Sequence, residues 1–346
     1  MQEGDKQLNP SKAFPYLCAV NKISSRQIFS ISSPTEFERF SLEIFHFQAA
    51  ECSLYADYIN RLGIVPDSVK TLKDIPFLPI EFFKSHSIIS SKADPEITFS
   101  SSSTGGSPSM HQVTDLSLYK YSYTEGFKRF YGPVNSYAVL ALLPSYLERK
   151  GSSLIYMVDD LIRESESPYS GYFLFNHDEL KKTLAELKKS ARPTILIGVT
   201  YALLDFIDNY KIDFPELIVM ETGGMKGKRK EMVREDLHET LCKGFGVSEI
   251  HSEYGMTELL SQAYSKSSGI FECPPWMQVT TRDVNDPLSL LAQGQTGGLN
   301  IIDLANLNSC SFIATQDLGK QHSNGNFEVL GRFDNSDISG CNLLVQ

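Results

Sequence analysis

No apolar run in this chain approaches the roughly 20 residues that a membrane-spanning helix needs. The first residues, Met1-Gln2-Glu3-Gly4-Asp5-Lys6, lack the apolar core of a secretion signal. Positive charge is not in excess either. Lys and Arg number 32 against 42 Asp and Glu, a net charge of -10, which speaks against nucleic acid as a partner. The cysteines Cys18, Cys52, Cys242, Cys273, Cys310 and Cys341 include no Cys-x-x-Cys pair, which excludes a zinc ribbon and a disulfide framework and points to a reducing, cytoplasmic setting. There is no internal repeat and no low-complexity tail. A Walker A loop is missing, and so is the dinucleotide fingerprint G-x-G-x-x-G.

What is present is enough apolar residue, 41% of 346, for one large or two ordinary domains. Ser33-Pro34-Thr35-Glu36 reads as a capping box with proline in the first turn. One long helix is expected after it, with Phe37, Phe40, Ile44, Phe47, Leu54, Tyr58 and Leu62 on one face and Gly63 as its stop. Ile75 to Phe83 is apolar but broken by prolines, a packed connector. Asp115 to Phe130, Glu179 to Ser190, Tyr201 to Tyr210 and Lys228 to Lys243 read as helices. Between them, Tyr137 to Leu143, Thr194 to Gly198 and Leu217 to Met220 read as strands buried on both faces. Strands alternating with helices imply an α/β fold with a largely parallel sheet. Beyond Gly269, short strands separated by Gly, Asn and Asp (298–302, 311–315, 327–330) predict a small antiparallel or barrel-like part, with a hairpin turn at Ser323-Asn324-Gly325-Asn326. The division expected is residues 1–95 as a helical segment on the core, 96–268 as the α/β core and 269–346 as a β-rich part.

The stretch around which the chain is organised is Phe99-Ser100-Ser101-Ser102-Ser103-Thr104-Gly105-Gly106-Ser107-Pro108-Ser109. Two glycines let the backbone curl, and a curl of N–H groups with hydroxyls beside it suits a phosphate. An ordinary polar surface loop has the same composition. A second stretch, Glu253-Tyr254-Gly255-Met256-Thr257-Glu258, offers a flat ring for a base, a hydroxyl for a phosphate and a hard oxygen ligand for magnesium. Taken alone, it reads better as a strand leading into a capped helix. Thr315-Gln316-Asp317 places a carboxylate suited to ribose hydroxyls, and Gly331-Arg332-Phe333-Asp334 supplies a guanidinium. Ligands of an α/β sheet sit off the carboxyl ends of its strands, where several of these pieces fall.

In this order the pieces resemble the adenylate-forming superfamily of acyl-CoA synthetases and adenylation domains. Ser101 to Ser109 stands where the superfamily has a Thr-Ser-Gly-Thr-Thr-Gly-Lys-Pro-Lys loop. Tyr254 to Glu258 matches Tyr-Gly-x-Thr-Glu, Thr315-Gln316-Asp317 matches Thr-Gly-Asp, and Gly331 to Asp334 matches the Gly-Arg-x-Asp hinge. Thr222-Gly223-Gly224 looks like the adenine loop, and Thr194 to Leu204 like the acyl-side segment. Within the superfamily the likeness is to the acyl-protein synthetase (LuxE-like) family. It spans most of the chain and includes Leu143 to Arg149 with Ser152-Ser153-Leu154, Tyr254 to Gln262 and the ending Ser339 to Leu344.

The resemblance implies the large-domain fold of these enzymes, with the mobile C-terminal domain largely absent. It implies ATP and Mg2+ as cofactors and a carboxylic, fatty acid as substrate, activated as acyl-AMP. Cys341 then takes the acyl group and passes it to an acyl reductase partner. Catalysis would rest on Cys341, Glu258, Thr257 and Arg332, with Glu258 also holding the metal. Nucleotide binding would rest on Ser101, Ser102, Ser103, Thr104, Gly105, Gly106, Gly223, Gly224, Tyr254, Gly255, Thr257, Asp317 and Arg332. Two features depart from the pattern: Ser109 replaces the loop lysine, and Ser103 replaces a glycine. Lys226, Lys228 or Arg332 would then have to neutralise charge. A short acyl- or aryl-CoA ligase and a non-catalytic nucleotide-binding subunit are the alternatives.

Overall fold

The computed structural model describes residues 25–101, 107–144, 151–223, 229 and 232–333. In chain order the helices are α1 (Ser25–Phe29), α2 (Pro34–Glu51), α3 (Ser53–Arg61), α4 (Leu116–Tyr131), α5 (Ser153–Glu164), α6 (His177–Ser190), α7 (Thr200–Asn209) and α8 (Arg234–Phe245). The strands are β1 (Leu78–Pro79), β2 (Ile97–Ser100), β3 (Met110–Val113), β4 (Ala138–Leu142), β5 (Gly171–Tyr172), β6 (Thr194–Gly198), β7 (Ile218–Glu221), β8 (His251–Tyr254), β9 (Ala263–Ser265), β10 (Ile270–Phe271), β11 (Met277–Arg282), β12 (Thr296–Asp303), β13 (Phe312–Gln321) and β14 (Phe327–Arg332).

The first sheet runs in the order β5-β4-β6-β7-β8-β9. All its neighbours pair parallel except β8 and β9. Every residue of β4 and β6 is buried, as the unbroken apolar runs require when helices cover both faces. Each Val, Leu or Ile enclosed there contributes about 1.5–3 kcal/mol. The second sheet is antiparallel in the order β10-β14-β13-β12-β11, with β1 added parallel to β13. Of the two forms expected beyond Gly269, the antiparallel one is found. The turn at 323–326 joins β13 to β14, closed by the His322 N–H on the Asn326 carbonyl at 2.8 Å, with Gly325 left-handed at φ +88°.

Two expectations need correction. The helix predicted from Pro34 to Leu62 is broken at Cys52, whose backbone is extended. Gln48 in the preceding turn is buried, and its amide donates to the Asn306 and Leu307 carbonyls and to Ser311 Oγ. With α2 held there, the break turns α3 so that Tyr55 stacks on Phe312 and donates to the Pro76 carbonyl at 2.5 Å. Periodicity finds the helical stretches but not a tertiary tether that interrupts them. Phe47 is only half-buried, and Phe45 takes the core position. The helix expected from Lys228 starts instead at Arg234, where Glu235 and Asp236 favour the positive end of the dipole. The α5 helix was not expected; its apolar residues at 154, 155, 157, 158, 161 and 162 carry helical spacing.

Candidate active site

The glycine-containing stretch is the connection of the β2–β3 hairpin, with Ser100 opposite Met110. At its neck the Ser101 N–H donates to the Ser109 carbonyl at 3.0 Å, and the Ser109 N–H donates to Ser101 Oγ at 2.9 Å. Ser101 therefore spends its hydroxyl closing the loop. Ser102, Ser103, Thr104, Gly105, Gly106, Gly224, Lys226, Lys228, Asp334 and Cys341 lie outside the described residues.

The carboxyl ends of parallel β6, β7 and β8 present Val199-Thr200, Thr222-Gly223 and Gly255 to Glu258 at one edge of the sheet. Gly223 is left-handed at φ +78°, a conformation that favours glycine. Buried Glu221 just before it accepts from the Gly223 N–H at 2.8 Å, Thr200 Oγ1 at 3.1 Å and Arg234 Nη1 at 3.2 Å. Burial would raise the Glu221 pKa, but His238, Arg234, Ser252 and the Gly223 N–H outweigh it and hold the group near 2. Arg234 also donates to the Val329 carbonyl of β14 at 3.2 Å, tying the two sheets together. The sequence reading missed this glutamate. Its signal is a carboxyl that ends an otherwise apolar strand.

Tyr254, Asp317 and Arg332 come together as one chain of hydrogen bonds. The Tyr254 hydroxyl donates to Asp317 Oδ2 at 2.7 Å, and Arg332 Nε donates to Asp317 Oδ1 at 3.0 Å. Cross-strand register sets the second pair, since Asp317 of β13 lies opposite Arg332 of β14. The Tyr254 ring packs against Phe271 and Phe327, with centroids at 5.8 and 5.4 Å. The Arg332 side chain is 70% exposed, whereas Asp317 is 9% exposed. The aspartate is thus enclosed, and its cation lies open to solvent.

Glu258 is buried, and burial raises its pKa against a hydrogen bond from the Ser109 side chain, its own backbone N–H and the charge of Arg332. The Tyr-Gly-Met-Thr-Glu loop is held from behind. His111 of β3 faces the Thr257 carbonyl with Nδ1 at 2.8 Å. Burial lowers the His111 pKa to about 4, so the ring is neutral and its one proton is on Nδ1. Asn306 Nδ2 donates to the Glu258 carbonyl at 2.8 Å. Asp303 accepts from the N–H groups of Leu260, Ser261 and Ala305 and from the Ser261 hydroxyl. None of these supports was singled out in the sequence, because each acts through contacts far along the chain.

The donor set fits a nucleotide with a divalent cation. Glu258 is a carboxyl that its own chain satisfies poorly, a state that a hard cation relieves. Asp317 turns two oxygens to partners of which one, Arg332, is exposed. Among the described residues no group of His, Cys, Asp and Glu forms a ready-made metal cluster, so the phosphates would have to complete the shell.

The fold has many solved counterparts. One is ATP-bound MatB from Rhodopseudomonas palustris, at TM-score 0.52 and 19% identity over 70% of this chain and 49% of that one. Another is 2-hydroxyisobutyryl-CoA ligase with 2-HIB-AMP and CoA, at 0.63 and 10% over 96% and 74%. The chain has the fold of the adenylate-forming ligases. It spans about half the length of MatB, and also of a long-chain-fatty-acid-CoA ligase from Archaeoglobus fulgidus that it matches at TM-score 0.50 and 15% identity. No family model matches the chain, and no curated protein matches its sequence. Among the described residues no helix is long and apolar enough to cross a membrane.

Proposed function

We propose that the chain activates a carboxylic acid with ATP as acyl-AMP and then transfers the acyl group to its own Cys341 for delivery to an acyl reductase. The observation that carries the first step is the Tyr254–Asp317–Arg332 chain with buried Glu258 beside it, where the carboxyl end of β8 meets strands β13 and β14 of the antiparallel sheet. In that step an oxygen of the acid's carboxylate attacks the α-phosphorus and pyrophosphate leaves. The protein's part is to hold the reactants and to neutralise charge. Asp317 takes the ribose hydroxyls and releases Arg332 toward the phosphates. Thr257 offers its hydroxyl to the α-phosphate. Residues 101–109 receive the outer phosphates, and Gly223 lines the base. Glu258 would hold magnesium, which when bound supplies positive charge to the phosphates.

In the second step the Cys341 thiolate attacks the acyl carbon of the mixed anhydride. A thioester forms, and AMP leaves with the electron pair. Support comes from the other thiols. Burial raises the pKa of Cys52, Cys242, Cys273 and Cys310, making each a poor nucleophile at neutral pH. The solved structure of 2-hydroxyisobutyryl-CoA ligase holds CoA, which favours a soluble thiol as the second reading.

Intact mass after incubation with ATP, magnesium and a panel of fatty and aryl acids separates the two. A gain of one acyl group without CoA, removed by hydroxylamine and lost in Cys341→Ser but kept in Cys18→Ser, supports self-acylation. No gain, with AMP formation that needs CoA, establishes the ligase and overturns the acceptor role.

A further inference from the structure

The ladder between β12 and β13 is interrupted at Asp317. Gly298 pairs with Leu318 and Asn300 with Ala314, so Leu299 alone faces Thr315, Gln316 and Asp317. Extra residues in one strand bend it and re-aim their side chains, and they take backbone groups out of the ladder. Two carbonyls of this bulge are met by one side chain from a third strand. Arg282, at the end of β11, donates from Nη1 to the Leu299 carbonyl at 2.8 Å and to Asn300 Oδ1 at 2.9 Å, and from Nη2 to the Thr315 carbonyl.

To reach β13 this side chain crosses β12 over Gly298, its own register partner. A Cβ on Gly298 would stand 2.8 Å from Arg282 Cζ, so the glycine leaves the path open. The Thr315 hydroxyl continues the support: it donates to the Leu299 carbonyl at 2.9 Å and accepts from the Asp317 N–H at 3.1 Å. The Phe333 ring stands 5.7 Å from Arg282 Cζ, and the Phe333 N–H donates to the Gln316 carbonyl at 3.0 Å. Arg282 is buried, yet among the described residues no carboxylate forms an ion pair with it. Burial works against its charge, while the fields of Glu81, Tyr58 and Asp317 favour it. A buried guanidinium without an ionic partner is a costly way to fill a sheet, and acid activation gives it no step.

We infer that Arg282 is a positioning residue, whose fork fixes the bulge that presents the Asp317 carboxylate to the ribose hydroxyls of the nucleotide. This rests on the reading of Asp317 as the ribose ligand. Arginine suits the task because its planar fork meets two carbonyls at a set geometry, which a lysine ammonium does not reproduce. A residue that served the fold alone would, when lost, weaken every nucleotide alike.

The test is equilibrium dialysis of the full chain with magnesium and either ATP or its 2′,3′-dideoxy analogue. The wild-type chain is expected to bind ATP about tenfold or more tightly than the analogue, which lacks both hydroxyls. In Arg282→Met the ratio should fall to about one, and in Arg282→Lys and Gly298→Ala to about threefold or less, with affinity for the analogue unchanged. Where Arg282→Met does not fold, the two milder variants carry the comparison. A ratio that the folded variants keep, or an equal loss for both nucleotides, overturns the inference. A wild-type ratio near one overturns the ribose role of Asp317 and the inference with it. Acid-dependent pyrophosphate release by the same samples tells failure of acid activation apart from failure of this inference.

Discussion

Glu221 and Glu253 stand near the ends of neighbouring strands and have opposite characters. Glu221 is saturated by Thr200, the Gly223 N–H and Arg234, and its pKa is held near 2. Glu253 has no partner of its own among the described residues, and its pKa is pushed to about 8. Burial acts on both in the same direction, so the difference lies in the hydrogen bonds. Burial raises the pKa of both Asp303 and Glu258, yet in hydrogen bonds they differ: Asp303 ties the site loop through three N–H groups and a hydroxyl, and Glu258 has little besides Ser109 and its own N–H. Carboxyls that the protein satisfies hold the fold. Carboxyls with fewer partners, Glu258 first among them, are the ones proposed to meet ligands.

The sharpest way to break this contrast is to neutralise one of each kind. Glu258→Gln is expected to lower acid-dependent pyrophosphate release by about 10²–10³-fold, with melting temperature unchanged or raised. Normal release would remove Glu258 from the site. Asp303→Ala should do the reverse to stability, costing about 3 kcal/mol in urea unfolding because buried N–H groups lose their acceptor.

Arg234→Ala leaves Glu221 enclosed without its guanidinium. A loss of about 2 kcal/mol is expected, less than for a fully buried pair because the arginine is 29% exposed. A smaller effect distinguishes the two glutamates by pH. Glu221, lowered from an ordinary 4.5 to about 2, contributes stability above pH 4.5 that is lost as pH falls through 2. Glu253, raised from 4.5 to about 8, contributes stability below pH 4.5 that is lost as pH rises through 8. Melting curves of Glu253→Gln should therefore lack part of the wild-type decline between pH 5 and pH 9. An identical decline would mean that Glu253 titrates normally. The smallest change in stability, about 0.5 kcal/mol or less, is expected for Arg332→Ala, since the arginine is exposed and Tyr254 still donates to Asp317; its KM for ATP should rise all the same.

The alternation of strands and helices made the parallel sheet legible, because runs such as Thr194 to Gly198 are apolar throughout and have no other use. Tyr254, Asp317 and Arg332 were legible as motif residues, and cross-strand register together with the Tyr254–Asp317 contact brings them together. What could not be read was everything that depends on contacts distant in sequence. Gln48 bonds residues near 306 one turn before the helix breaks at Cys52, and His111 supports a carbonyl at 257. Glu253 was visible as a letter in a motif, but its lack of a partner among the described residues belongs to the folded chain. Ser109, where the resemblance would have a lysine, has its side chain beside Glu258.

The central claim is that this site joins an acid to AMP. ATP–pyrophosphate exchange, followed with labelled pyrophosphate, magnesium and single acids in the absence of CoA, tests it directly. The account predicts exchange that depends on the acid and collapses in Glu258→Gln. Exchange with no acid present, or acid-dependent exchange that Glu258→Gln leaves intact, would contradict it.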